Sequence, residues 1–199
     1  MTSPQPPPLP LPTKRTTGKG ARIIIALAVL IGGTLFALWL GGLIRPFNVP
    51  TGAMAPAISP GDSVMMEGIT YLVRKPHRGD VAVFKTDGVL MLKSGETYVK
   101  RIAGEPGDRV RIADGKLYIN DLHVPLRNEK GEIAYVAPPG AMAMYLHTDL
   151  TVPEGHYFML GDNSANSFDS RFWGAVPAGN IMGRVAFRYW PINRVGEVR

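Results

Sequence analysis

Cysteine is absent from the 199 residues, which excludes both a disulfide framework and a thiolate metal site. Acidic side chains are missing from the first 22 positions, and charge of either sign is missing from the next 22, Ile23 to Ile44. The formal net charge is +6, yet beyond the N-terminus the basic residues are scattered. The basic stripe interleaved with aromatics that a nucleic-acid binder carries is lacking, so nucleic acid is not expected as a partner. From residue 47 onward sustained helical periodicity is also lacking, which argues against helical bundles and βαβ units.

The N-terminus opens with a proline-rich run, "PQPPPLPLP", and a basic patch of Lys14, Arg15, Lys19 and Arg22. Proline supports neither helix nor strand ladder, so residues 1–22 read as a disordered, extended lead-in; a ligand for a proline-binding domain is the lesser reading. Residues 23–44 follow as an uncharged run long enough to span a bilayer core of roughly 30 Å. A cleaved signal peptide has a shorter apolar core, of about 7–15 residues. A small-x-small site at Ala53-Met54-Ala55 lies well past the run and is followed by Pro56. The expectation is a retained single-pass anchor. Four basic residues precede it and only Arg45 closely follows, which puts the N-terminus in the cytoplasm and residues 45–199 outside. With tail and anchor subtracted, roughly 150 residues remain, enough for one domain with its own core.

That exterior part consists of short apolar runs separated by turns. "VAVF" (81–84) precedes "TDG"; "RVRIADGKLYIN" (109–120) alternates on both sides of Asp114-Gly115, a strong hairpin signal. "HYFMLGD" and "GRVAFRYWP" read as further strands, and Phe187 and Tyr189 in the last are expected in the core. The pattern predicts a mostly β, barrel-like domain, with residues 123–150 as an irregular excursion of no clear role.

Three segments carry chemistry: "NVPTGAMAPAISPGD" (48–62), "YVKRIAGEPGD" (98–108) and "GDNSANSFDSRFWG" (161–174). Polar loops at barrel corners would explain their glycines and asparagines. They would not explain Lys100, set in a strand-like stretch beside Val99 and Ile102, although a lone lysine there is ordinarily a snorkelling surface residue.

Together the three segments resemble the bacterial type I signal peptidases, and the resemblance runs from basic tail and span to "RYWPINRVG". The family loop Pro-Ser-Gly-Ser-Met-x-Pro is matched by Pro50-Thr51-Gly52-Ala53-Met54-Ala55-Pro56. Lys-Arg-x-x-Gly-x-Pro-Gly-Asp is matched at 100–108, and Gly-Asp-Asn-x-x-x-Ser-x-Asp-Ser-Arg at 161–171. The resemblance implies a signal-peptidase-like β-barrel behind one transmembrane helix, in the cell (inner) membrane. It implies hydrolysis of exported preproteins after small-x-small sites, by a serine whose proton passes to a neutral lysine. Lys100 is then the general base, its amine brought down from about 10.4 by burial against apolar surroundings and bilayer. Ser167 holds that amine, and Asp169 and Arg171 form an ion pair shaping the same wall. The N–H of residue 53 and the Thr51 hydroxyl form the oxyanion hole. The substrate adds as a strand along an extended 48–52 segment, against Asn48, Val49, Pro50 and Tyr98. Signal peptides and the lipid bilayer are the implied partners, and no metal or organic cofactor is required.

The departure is at the nucleophile. Position 53 is alanine, and a methyl group cannot attack a carbonyl. Three explanations stand: an alanine introduced to trap uncleaved substrate, a natural alanine with another hydroxyl acting, or a non-catalytic peptide binder. Thr51 is the nearest hydroxyl, but in an extended strand it lies roughly 6–7 Å from position 53; Ser59 lies beyond two prolines. Two rival functions follow: an inactive homologue that binds signal peptides or regulates an active paralogue, and a specialised processing peptidase of the pilin type.

Overall fold

The protein is described here by a computed structural model covering residues 18–141 and 148–198. It divides into two compact units, one ending at Leu38 and one running from Trp39 onward. Most of the proline-rich tail lies outside the described residues.

Helix α1 spans Lys19–Leu40, with no acidic residue in its first turn and none of its residues buried. By length and composition it is able to cross a membrane. It starts within the stretch read as tail, since Lys19 and Arg22 are helical, and it ends short of the expected Ile44. Gly42, at φ +70°, donates its N–H to Trp39 O at 3.0 Å and breaks the helix. Such a left-handed close is inexpensive only for glycine.

The second unit is mostly β. In chain order its strands are β1 (Ile44–Asn48), β2 (Ser63–Glu67), β3 (Val81–Lys85), β4 (Thr97–Gly104), β5 (Arg109–Ala113), β6 (Lys116–Ile119) and β7 (Leu122–His123). Then come β8 (Arg127–Asn128), β9 (Gly131–Glu132), β10 (Asp149–Thr151), β11 (His156–Leu160), β12 (Val176–Pro177), β13 (Ile181–Trp190) and β14 (Gly196–Glu197). Two four-residue helices interrupt them, α2 (Thr70–Val73) and α3 (Ser170–Trp173). The principal sheet is antiparallel and curled into a half-barrel, in the order β1-β2-β13-β3-β4-β11-β12, with β14 on β13. A second sheet runs β10-β5-β6-β7, and β8 and β9 form a small hairpin.

The five strands read from the sequence are all present, as β3, β5, β6, β11 and β13. Asp114 (φ +51°) and Gly115 (φ +74°) form the two-residue turn of the β5–β6 hairpin, with Ala113 opposite Lys116. Two positive φ values in succession match the twist of the strands they join. The described part of the stretch read as an irregular excursion, 123–141 and 148–150, contributes to the core. Leu126, Ile133 and Tyr135 pack with Val110, Leu117, Ile119, Phe158 and Leu160 in one core cluster.

The expectation for β13 is corrected. Phe187 is 41% exposed and its ring meets that of Tyr189 at 6.5 Å rather than entering the core. The pairing of β13 with β2 shifts register at Val185/Phe187 and again at Arg188/Trp190. Each bulge resets the two-residue alternation, and the inward position goes to Arg188.

Candidate active site

A cleft of about 900 Å³ lies between the two free strand edges of the half-barrel. β1 pairs on one side only, with β2. β4 pairs along its whole first half with β3, but β11 reaches only as far as Arg101. The edge of Thr97–Lys100 is therefore open, as is the edge of β1. The lining comprises residues 47–54, 96–100, 138–139, 165–168 and Phe172. Of the residues singled out from sequence, Asn48, Val49, Pro50, Thr51, Ala53, Tyr98, Lys100 and Ser167 all lie in this lining. Asp169 and Arg171 stand behind it, fully buried.

The loop carrying Ala53 leaves β1 after Asn48 and is held through Val49, whose N–H donates to Asp62 O at 2.9 Å and whose carbonyl accepts from Gly61 N–H. From Gly52 it turns: Ala55 N–H donates to Gly52 O at 3.1 Å and Ile58 N–H to Met54 O at 2.9 Å. Thr51 and Ala53 are consequently not two same-face positions of a strand. Thr51 is exposed, whereas Ala53 is 7% exposed with its methyl at the cleft wall. Among the described residues neither the Ala53 N–H nor the Thr51 hydroxyl has a hydrogen-bond partner.

Two distant segments hold that turn. Asn163 donates its backbone N–H to Ala53 O and its Nδ2 to Gly52 O, both at 3.0 Å. On the other side Arg188 Nη1 donates to Ala57 O at 2.6 Å and Arg194 Nη2 to Pro56 O at 2.7 Å. Arg194 also pairs with Asp62 at 3.0 Å, whose carboxylate accepts the Ser59 N–H at 2.8 Å. Asn163, Asp62, Arg188 and Arg194 all lie in segments quoted from the sequence, but the sequence alone assigns none of them this bracing role.

Segment 161–174 builds the opposite wall around Arg171. Its guanidinium donates to Asp169 at 2.8 and 2.9 Å, to the Ser164 hydroxyl and carbonyl at 2.9 and 2.7 Å, and to Val136 O at 2.5 Å. Asp169 caps α3 by accepting the Arg171 N–H and also accepts the Gly161 N–H. Gly161 has no substitute here: a Cβ on it would sit 2.1 Å from Ser167 Oγ and 2.6 Å from Ala53 O. The missing side chain is what lets the Ser167 hydroxyl and the Ala53 turn approach the same backbone. Alternation along β4 sends Lys100 to the cleft and its neighbour Arg101 the other way. There Arg101 grips Asp162 through two bonds of 2.6 and 2.7 Å. Burial pushes the Asp162 carboxyl above its usual range, against the pull of that guanidinium.

Lys100 is treated differently. It is 5% exposed, and among the described residues its amine has no hydrogen-bond or ion-pair partner. The Tyr98 ring centroid lies 5.9 Å from it. Desolvation pushes the amine down to about 8; Asp169 opposes that fall, Arg171 adds to it, and Asp162 opposes it weakly. Ser167, in the same cleft, is 2% exposed, and its hydroxyl also lacks a partner. Two buried, unsatisfied polar groups in one cleft are costly, each by about 1–3 kcal/mol. An amine with a lowered pKa and an unpartnered hydroxyl thus line the same cleft. No group of three metal-ligating side chains occurs among the described residues.

The model of the family described as "Signal peptidase, peptidase S26" matches residues 20–190. This chain belongs to that family. It is 36% identical over 178 residues to a chloroplastic thylakoidal processing peptidase 1 of Arabidopsis thaliana, covering 86% of this chain and 49% of the relative. It is 38% identical over 149 residues to a probable signal peptidase I-2 of a Synechocystis strain, covering 74% and 64%. The chain thus spans about half the length of the plant relative and under two thirds of the cyanobacterial one. Among solved structures, a signal peptidase I from Enterococcus faecalis aligns at 30% identity over 57% of this chain and 98% of that one, with a TM-score of 0.43. As a family member the chain carries a half-barrel of the mostly β class behind one apolar helix.

Proposed function

We propose that the cleft binds the cleavage region of exported preproteins and that Lys100 is the base of a signal-peptidase reaction lacking only its nucleophilic oxygen. The observation that carries this reading is the pair of orphaned groups. A lysine amine near pKa 8 and a buried serine hydroxyl share one cleft without partners. Fold stability gains nothing from them, whereas a hydroxyl at position 53 would give both a partner.

In this reading residues 1–22 are a cytoplasmic tail, 23–44 supply the single span of the inner membrane, and 45–199 form the exterior domain. A peptide lies between the free edges of β1 and Thr97–Lys100 as an added strand, with Asn48, Val49, Pro50 and Tyr98 beside it. Its small side chains face the apolar floor by Val49 and Met54. The carbonyl to be cleaved sits over Ala53, its oxygen toward the Ala53 N–H and the Thr51 hydroxyl, both free to donate. Neutral Lys100 takes the proton of the attacking hydroxyl and returns it to the leaving amine. Asp169 and Arg171 act through the wall they hold, by fixing Ser167.

With alanine at 53 the attack has no oxygen, which favours a second reading: a binder of signal peptides that does not hydrolyse them. One assay separates the two. The protein in lipid is given a preprotein whose signal ends Ala-x-Ala, as it stands, as Ala53→Ser, and as Ala53→Ser with Lys100→Ala. Cleavage is expected from the single variant alone. Cleavage by the unaltered chain that Thr51→Val abolishes would transfer the nucleophile's role to Thr51. Silence from all three with the peptide still bound would leave the binder.

A further inference from the structure

Residues 86–96 join β3 to β4, and they form a pinned projection. The Thr86 side chain, fully buried, donates to Lys93 O at 2.6 Å and accepts from Glu96 N–H at 3.0 Å, closing the base. Asn180 Nδ2 braces the outside through Lys85 O and Asp87 O. Val89 is 5% exposed and packs into the core cluster of Phe84, Ile102 and Trp173, with Leu92 against it. Between those two anchors Leu90 and Met91 are turned out, 70% and 60% exposed. Of the two acids in the projection, Asp87 is engaged inside the loop by the Ser94 hydroxyl and the Gly95 N–H and Glu96 is half-buried at its base, while Lys85 and Lys93 are exposed.

The strand registers fix the end of the sheet at which this tip stands. Ile44 of β1 lies opposite Glu67, Arg184 of β13 lies opposite both Glu67 and Ala82, and β3 runs on from Ala82 to Lys85 before the tip. The tip leaves the sheet at the end where the chain enters it. Ile44 is four residues past Leu40, the last residue of α1, and four residues reach at most about 14 Å.

We infer that the β3–β4 tip is a lipid-docking element: Leu90 and Met91 enter the bilayer interface, with Lys85 and Lys93 at the headgroups. This rests on the reading of α1 as a membrane span. Two large apolar side chains held outward by a clamped loop are expensive in water. A bilayer surface within a few residues' reach of Ile44 would cover them, and anionic headgroups suit the two lysines. Docking there would set the height of the cleft above the membrane.

The absence of cysteine makes single-site labelling direct. The full chain is prepared as Leu90→Cys, as Leu40→Cys at the helix end, and as Glu154→Cys at the opposite end of the principal sheet. Each is coupled to an environment-sensitive dye in phosphatidylethanolamine–phosphatidylglycerol vesicles with brominated acyl chains. The dye at 90 is expected to lose about half its emission or more, since interfacial groups sit about 5–10 Å into the headgroup and acyl boundary. The dye at 154 is expected to keep its emission. Quenching at 40 with none at 90 would overturn the inference and leave the span intact. No quenching at 40 would defeat the span itself, and the docking with it. A blue shift at 90 that requires an added signal peptide, or that grows with protein density in the vesicle, would reassign the tip to peptide or to a second copy and also overturn it.

Discussion

Two buried basic side chains of this domain receive opposite treatment. Arg171 is 1% exposed and each of its guanidinium nitrogens donates, to Asp169, Ser164 and Val136. Lys100 is 5% exposed, with no bond from its amine among the described residues. The first arrangement is that of a structural charge, fully compensated and fixed in place. The second leaves an amine uncompensated, so that burial loosens its hold on its proton. Ser167 stands between the two cases, with its carbonyl close to the Arg171 guanidinium and its hydroxyl unpartnered.

The comparison breaks most visibly at Arg171. Arg171→Met would leave the Asp169 carboxylate and the Val136 and Ser164 carbonyls buried without their main donor. A loss of about 3–5 kcal/mol is expected from breaking such a pair on one side only, read from urea unfolding. A loss under about 1 kcal/mol would make Arg171 no more structural than a surface charge.

Lys100 is expected to respond to pH, and in a defined direction. Its folded value, about 8, lies below its ordinary 10.5, so between these values the unfolded chain binds more protons than the folded one. Stability therefore rises with pH across that window, and the penalty on the folded state is fully present below about pH 8. A shift of this size corresponds to about 3 kcal/mol at full extent. Tyr71 and Tyr135, both raised by burial, oppose the rise only above about pH 10. Lys100→Met should flatten the slope between pH 8 and 10 and stabilise the protein at pH 7. A slope that survives the substitution would place its origin elsewhere. The smallest effect is expected from Ser167→Ala, which removes a hydroxyl that bonds to nothing. A gain of about 1 kcal/mol, the low end of the cost of an unsatisfied buried hydroxyl, is expected in melting, together with a lower rate and an altered pH profile in an Ala53→Ser background. An unchanged pH–rate profile would deny Ser167 any part in positioning the amine.

Much of this was legible in the sequence where the determinants are local. Asp114-Gly115 specified its hairpin because two adjacent φ > 0 positions admit few residues. The strands at 81–84, 156–160 and 181–190 declared themselves by β-branched and aromatic alternation. The cleft residues were legible because three short patterns occur in order. What escaped is what depends on distance. Arg101 and Asp162 are 61 positions apart, and nothing near either residue announces the other. Val136 lies in a segment without pattern, yet its carbonyl accepts from Arg171 and its N–H donates to Ser164. Phe187 read as core because alternation was extended through two bulges that no local signal marks.

The grip of Arg188 and Arg194 on the turn around position 53 spans 131 and 138 residues of chain. Assembly of the cleft is accordingly a late event. A polypeptide emerging N-terminus first carries residues 49–62 for most of its synthesis before the strand that braces them exists. Such non-local closure is also the slow kind. Nascent chains halted before residue 188 are expected to leave that turn open to protease, and early protection there would show that it shapes itself. A cleft whose turn at position 53 is clamped by Arg188 and Arg194 has a built-in delay: the unfinished chain carries one wall of the cleft long before the two side chains that fix its shape.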